Sequence, residues 1–214
     1  MTPEACAYLS KRCRVMRKLI KQHGECTLVP DKKRTPFVSL VRAVAHQQLN
    51  GTAAETILRR FRALFPGHRF PTAAQLADVT DDALRACGFS WAKIASLRDI
   101  AAKTLDGTVP SGRTVGKLSD EEIITRLTAV RGVGRWTVEM YLIFTLGRPD
   151  VLPVDDFGVR SGFRVAMNLP EMPKPKELLE FGQRWRPQAT TAAWYLWRTA
   201  DAAKEKSAIK GVNA

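Results

Sequence analysis

Two aspartates, Asp155 and Asp156, stand directly before an apolar pattern of helical spacing formed by Phe157, Val159 and Phe163. A carboxylate at a helix N-terminus is favoured by the open backbone amides and the positive end of the dipole. At the rim of an apolar pocket it can hold a developing positive charge or orient a water. The same residue type at the same place is also the ordinary N-cap, and the sequence leaves both roles open for both residues. A second concentration is the stretch from Leu127 to Thr137, where Arg131-Gly132-Val133-Gly134-Arg135 separates two helical patterns. Glycines let the backbone turn tightly and approach another chain without Cβ obstruction. The amides opening the next helix, helped by Arg131 or Arg135, suit a phosphate oxygen. Taken alone, Gly-x-Gly is equally a plain helix-helix turn.

The elements that must carry these residues read as helices. The only β-branched clusters, around Leu28-Val29 and at Val151 to Val154, are short and interrupted or bounded by proline. Ala54, Ile57, Leu58, Phe61 and Phe65 recur at spacings of three and four, as do Ile94, Leu97 and Ala101, and Ala193, Leu196, Trp197 and Ala200. Thr72 with Gln75, and Ser119 with Glu122, have capping-box spacing, while Gly107, Gly132 and Gly147 fall where helices should stop. Residues 133–146 leave little polar face and predict a central, buried helix. Pro153, Pro170, Pro173, Pro175 and Pro187 divide the last third into short helices, residues 204–214 read as a frayed polar tail, and Lys11, Arg12, Arg14, Arg17, Lys18 and Lys21 crowd the first helix. A solvated helix face and a contact with DNA account for that basic cluster equally well.

The bulk composition sets limits on function. A chain of 214 residues with 45% hydrophobic and 26% charged residues can build a core without disulfides or metal. Lys and Arg number 34 against 21 Asp and Glu, a formal surplus of +13, which makes a polyanion the first partner to consider. No run approaches the roughly 20 apolar residues that span a bilayer, and residues 1–19 lack an apolar stretch with a cleavage site, so the expectation is an intracellular protein. Cys6, Cys13, Cys26 and Cys87 match no common zinc, redox or iron–sulfur spacing and read as small buried hydrophobes.

Four ordered segments then point to a family. Val41 to Gly51, containing His46-Gln47-Gln48-Leu49, is followed by Cys87-Gly88-Phe89-Ser90-Trp91-Ala92-Lys93. After these come the hairpin with Arg135-Trp136-Thr137 and finally Leu152-Pro153-Val154-Asp155-Asp156. In this order they resemble the helix-hairpin-helix DNA glycosylase superfamily, most closely its 3-methyladenine DNA glycosylase II branch. The resemblance covers residues 37 to about 200.

The resemblance implies an all-α, two-lobed helical protein with the active site in the cleft between the lobes. The central lobe would span about residues 37–150, with the hairpin at about 119–146; the second lobe would combine the N-terminal helix with about residues 157–205. Alignment on the hairpin tryptophan places the family's catalytic aspartate at Asp156, with Asp155 as runner-up. Trp136 and Trp197 match aromatic residues of the base pocket, where an electron-rich ring would stack on a cationic alkylated purine. Met140 falls where an additional aromatic lines the pocket of a related enzyme. Trp91, Trp185 and Trp194 are assigned to core packing. Gln48, with Leu49 beside it, lines up with the wedge that fills the stack after base flipping; a polar cap before Gly51 is the other reading of Gln48. Arg131, Gly132, Gly134 and Arg135 become DNA-binding residues.

Position 136 also selects a mechanism, because bifunctional members carry there a lysine that forms a Schiff base. Tryptophan at that place implies a monofunctional hydrolase that leaves an abasic site. No cysteine lies beyond Cys87, so the iron–sulfur motif of a sister branch is missing and neither metal nor cofactor is expected. The expected partner is double-stranded DNA carrying alkylated bases, chiefly 3-methyladenine with 7-methylguanine or 1-methyladenine as further substrates. The protein is expected to be a monomer, without membrane association, in the bacterial cytoplasm at the nucleoid or in a eukaryotic nucleus. Two rival readings remain at this point: a glycosylase of the same fold for other damaged bases, and a non-catalytic helix-hairpin-helix module that binds DNA.

Overall fold

The computed structural model describes residues 3–212, and among them no strand forms. The chain folds as two compact units, one of Met1–Asp31 with Leu142–Ala214 and the other of Lys32–Tyr141.

The continuous unit contains α3 (Pro36–His46), α4 (Gly51–Ala63), α5 (Ala73–Asp78), α6 (Asp81–Cys87), α7 (Trp91–Leu105), a 3-10 turn at Val115–Lys117, α8 (Asp120–Thr128) and α9 (Arg135–Tyr141). α1 (Pro3–Arg12) and α2 (Arg14–His23) precede it and belong to the other unit. Local signals set the helix starts. Thr35, Asn50, Thr72, Thr80, Ser90 and Ser119 each accept a backbone N–H at the opening turn of the helix that follows. Both capping boxes expected from spacing, Thr72–Gln75 and Ser119–Glu122, form. The core is built on Phe61, whose ring meets Phe65, Phe70 and Phe89 edge-on at centroid separations of 5.3–5.8 Å.

In the discontinuous unit, α1 and α2 join a π-helical segment Leu142–Leu146, α10 (Phe157–Met167), α11 (Pro175–Gly182), a 3-10 turn Gln183–Trp185 and the long α12 (Ala189–Val212). α10 and α12 pack unusually closely, because a Cβ at Gly162 would lie 1.9 Å from the Leu196 carbonyl oxygen. Trp185 and Tyr195 are fully buried, and Trp185 sits edge-on to Phe163 and Phe181.

Several sequence expectations need correction. Trp91 is not a core residue: it opens α7 at 59% exposure, with the Arg85 guanidinium 5.2 Å above its ring. Trp185 and Trp194 are buried as expected. The predicted buried helix over residues 133–146 is α9 followed by the π segment, and it is not buried all round, since Trp136 and Phe144 are 47% and 41% exposed. The tail expected to fray from Lys204 continues α12 to Val212, while residues 213–214 lie outside the described residues. Cys13 and Cys87 are buried, but Cys6 and Cys26 are only partly so.

Candidate active site

Asp156 is the N-cap of α10. Its Oδ1 accepts the Val159 backbone N–H at 2.8 Å and the Trp197 indole Nε1–H, also at 2.8 Å. The cap reading therefore holds for Asp156, and its capping bond together with the indole bond fixes the carboxylate's rotamer. The packing around this pair is tight. A Cβ at Gly158 would meet Trp197 Cδ1 at 2.8 Å and Asp156 Oδ1 at 3.1 Å, so a side chain there would push the two apart. Asp156 is half-buried; Asp155, in the preceding turn, is exposed. What the group can do chemically follows from this geometry: an oriented carboxylate beside an indole can face a cationic centre without first reorganising.

The other side of Trp197 meets Phe144, whose ring centroid lies 5.5 Å away at a tilt of 32°. Sequence reasoning passed over Phe144 because it read residues 133–146 as uniformly buried. The available signal was four-residue spacing, since Trp136, Met140 and Phe144 fall on a common helical phase. Phe157, the first residue of α10, is also exposed next to the carboxylate.

The DNA-facing residues proposed from the sequence belong to the Lys32–Tyr141 unit. Gly132 turns the hairpin at φ +76°, where a Cβ would come 2.6 Å from Ser96 Oγ, so both the dihedral and the space disfavour any side chain there. Its carbonyl accepts the Gln47 Nε2–H at 2.8 Å. The Arg131 N–H donates to Asp99 Oδ2 at 2.6 Å, and Lys103 Nζ donates to both Asp99 oxygens at 2.7 Å. Burial acts to raise the Asp99 pKa, but the Arg131 N–H and the Lys103 ammonium outweigh it and hold the carboxyl below its usual range. Gly134 opens the turn before α9, and among the described residues its N–H meets no protein acceptor.

Gln48 lies in the exposed turn between α3 and α4 at φ +56°, a region non-glycine residues seldom occupy. It is not a helix cap; Asn50 fills that role for α4, accepting the Ala53 N–H at 2.9 Å. Leu49 beside it is 41% exposed. Lys93 accounts for the spacing of the second motif: Ser90 caps α7, and Lys93 Nζ reaches back 2.9 Å to the Ala45 carbonyl, closing the end of α3 just before the Gln47–Gln48 turn. Lys93 and Asp99 on α7 thus brace both turns, while the Ser96 hydroxyl, which donates to the Ala92 carbonyl within the helix, lies against Gly132. Sequence reasoning did not single out Gln47, Ser96 or Asp99, since their partners are distant in the chain.

Arg135 is engaged within the fold. Its guanidinium pairs with Glu121 at 2.8 Å and with buried Glu139 at 3.1 Å, so two of this chain's carboxylates compete with a phosphate for it. The Arg131 side chain is exposed. Trp136 is half-exposed and Met140 partly buried. Among the described residues no group of three or more His, Cys, Asp and Glu could hold a metal ion, and no helix is long and apolar enough to cross a membrane.

The chain thus carries a helical hairpin with a glycine turn and, at the head of a later helix, a capped aspartate. The model of the HhH-GPD superfamily of base excision DNA repair proteins matches residues 41–188, and the chain belongs to that superfamily. It is 45% identical over 169 residues to DNA-3-methyladenine glycosylase 1 of Schizosaccharomyces pombe, covering 79% of this chain and 74% of the relative. It is 35% identical over 181 residues to the alkylbase DNA glycosidase-like protein mag2 of the same organism, with coverages of 84% and 85%. Among solved structures, the S. pombe 3-methyladenine DNA glycosylase Mag1 in complex with abasic DNA superposes with a TM-score of 0.81 at 42% identity, over 92% of this chain and 97% of that one. A DNA-3-methyladenine glycosidase from Bacillus halodurans gives 0.85 at 34% identity, over 95% and 92%.

Proposed function

We propose that this protein is a monofunctional DNA glycosylase of base excision repair, which hydrolyses the N-glycosidic bond of alkylated bases, chiefly 3-methyladenine, in double-stranded DNA. The observation that carries the reading is the Asp156 carboxylate, fixed by the Val159 N–H and the Trp197 indole N–H at the head of α10. The names of the relatives support the same substrate class.

The target nucleotide leaves the stack, and Gln48 with Leu49 enters the gap, compensating the few kcal/mol of lost stacking. A turn held at positive φ presents such a side chain outward at little further entropic cost. The hairpin amides around Gly132 and Gly134, with Arg131, grip the backbone phosphates, and Gln47 and Asp99 hold that turn in shape. Arg135 assists only insofar as a phosphate displaces Glu121. We assign stacking on the cationic base to Trp136 and to Trp197, with Met140 as a polarisable contact.

The bond from C1′ to the base nitrogen then breaks, and its electron pair neutralises the positive charge on the alkylated ring, so the base departs neutral without an acid. Positive charge develops on the sugar as an oxocarbenium ion, and Asp156 stabilises it. A water adds to C1′ and releases a proton to the solvent, leaving an abasic sugar and a free base. With tryptophan at position 136 no amine forms an imine, and strand cleavage does not follow.

Chromatography of bases released from methylated DNA tests the proposal, comparing wild type with Asp156→Asn. Release of alkyl-adenine by wild type and its loss in the variant are expected. Tight binding across a panel of lesions with no base loss would establish the DNA-binding module instead, and borohydride trapping of a covalent DNA adduct would establish a lyase.

A further inference from the structure

The cations of this chain are concentrated. Residues 11–21 read Lys-Arg-Cys-Arg-Val-Met-Arg-Lys-Leu-Ile-Lys and contain no carboxylate, so one short segment carries a large part of the +13 surplus. α2 sorts them by face. Met16 and Leu19 are buried, while Arg14, Arg17, Lys18 and Lys21, spaced i, i+3, i+4 and i+7, are exposed along one stripe.

Elsewhere many cations are neutralised within the fold: Arg42 by Glu55, Arg98 by Asp81, Lys103 by Asp99, Arg135 by Glu121, Arg186 by Asp150 and Arg198 by Asp201. On α2 they are not. Among the described residues Arg14, Lys18 and Lys21 meet no acceptor, and Arg17 Nε donates only to the Ser10 carbonyl at 2.9 Å, which steadies the guanidinium without cancelling its charge. Like charges three and four apart repel along a helix, so the stripe works against the helix in the free protein and an external polyanion removes that repulsion. The His23 imidazole pKa is held down by burial, then by the nearby cations Arg198 and Lys206 of α12.

We propose that the Arg14–Arg17–Lys18–Lys21 stripe of α2 is a further DNA-binding surface, contacting the sugar-phosphate backbone of the duplex beyond the lesion. The choice of duplex DNA as the polyanion rests on the glycosylase reading; the stripe itself does not. The distance fits several contacts. Arg14 to Lys21 spans about 10 Å at 1.5 Å per residue, and a duplex presents a backbone charge about every 1.7 Å along its axis. Arginine and lysine in this arrangement read no base, so the contact adds affinity without sequence preference.

The test uses the full chain, R14Q/R17Q/K18Q/K21Q, and an undamaged duplex and an abasic-site duplex titrated at several salt concentrations. Each lost phosphate contact takes about 0.9 from the slope of log affinity against log salt. We expect that slope to become shallower by about 2 to 3.5, and affinity at low salt to fall by on the order of tenfold to a hundredfold. R14K/R17K keeps the charge and should keep the wild-type slope. K18Q/K21Q should give about half the effect, which keeps the test usable if the quadruple variant melts early. R69Q/K174Q/K176Q/R184Q changes exposed charge elsewhere by the same amount. An unchanged slope in the α2 variants, or an equal fall in this control, overturns the proposal. So does loss of binding to vesicles of anionic lipid with DNA binding untouched. Base release by wild type is scored separately: a chain that excises with an unchanged slope loses only the α2 surface, and one that excises nothing but shows the slope change loses only the glycosylase reading.

Discussion

The indole N–H of Trp197 lies 2.8 Å from Oδ1 of Asp156, the oxygen that also caps α10 through Val159. One side chain therefore starts a helix and presents a carboxylate, and the two duties can be separated by substitution. Asn is as good an N-cap as Asp, so Asp156→Asn should melt within a few degrees of wild type while base release falls on the order of a hundredfold to a thousandfold. If base release by the variant matched that of wild type, the catalytic role of Asp156 would be wrong.

Trp197→Phe keeps the ring beside Phe144 but removes the donor to Asp156. A hydrogen bond to a charged group is worth about 1.5–3 kcal/mol, so a loss of about tenfold to a hundredfold in single-turnover base release is expected. Trp197→His, with a ring N–H of its own, should recover part of it. Equal rates for wild type and Trp197→Phe would show that the indole serves packing alone.

Gly132 is constrained twice, by its φ of +76° and by Ser96 Oγ 2.6 Å from a would-be Cβ. Gly132→Ala should cost about 1–3 kcal/mol from the dihedral alone and weaken DNA binding through the distorted turn. Removing the hydroxyl in Gly132→Ala/Ser96→Ala should restore only part of the stability. Thermal melts of the two singles and the double measure the coupling, and strict additivity would mean that Ser96 is not the obstacle.

Stability should respond to pH in two windows. The His23 pKa is lowered in the fold, so the unfolded chain binds more protons, and stability is full above the ordinary value near 6.5 and falls as pH drops through it. Asp99 and Glu121 are also lowered. Glu121 owes this first to its hydrogen bond from Arg135, and Asp99 is lowered despite burial by its bonds from Arg131 and Lys103. Both contribute stability above their ordinary carboxylate values, and that contribution disappears as pH falls through their depressed ones. Melting temperature against pH should therefore decline first as pH falls below about 6.5 and again in acid. His23→Gln should flatten the first step and leave the second.

The sequence by itself determined the helices and the order of the motifs. Capping at Thr72 and Ser119, the glycine at position 132 and the periodicity around Phe61 are local signals, written within a few residues of where they act. It also supplied Asp156, though two roles for it stayed open. Only the tertiary structure decided what depended on residues far apart in the chain. It brought Trp197 to Asp156 across 41 positions and Gln47 to Gly132 across 85. It exposed Trp91, which composition alone would bury, and in place of a uniformly buried helix it set α9 and a π segment with Trp136 and Phe144 exposed. Hydrophobic spacing records which faces are apolar, but burial of an aromatic and the partner of a buried polar group are fixed by which helices meet, and a single chain does not write that locally.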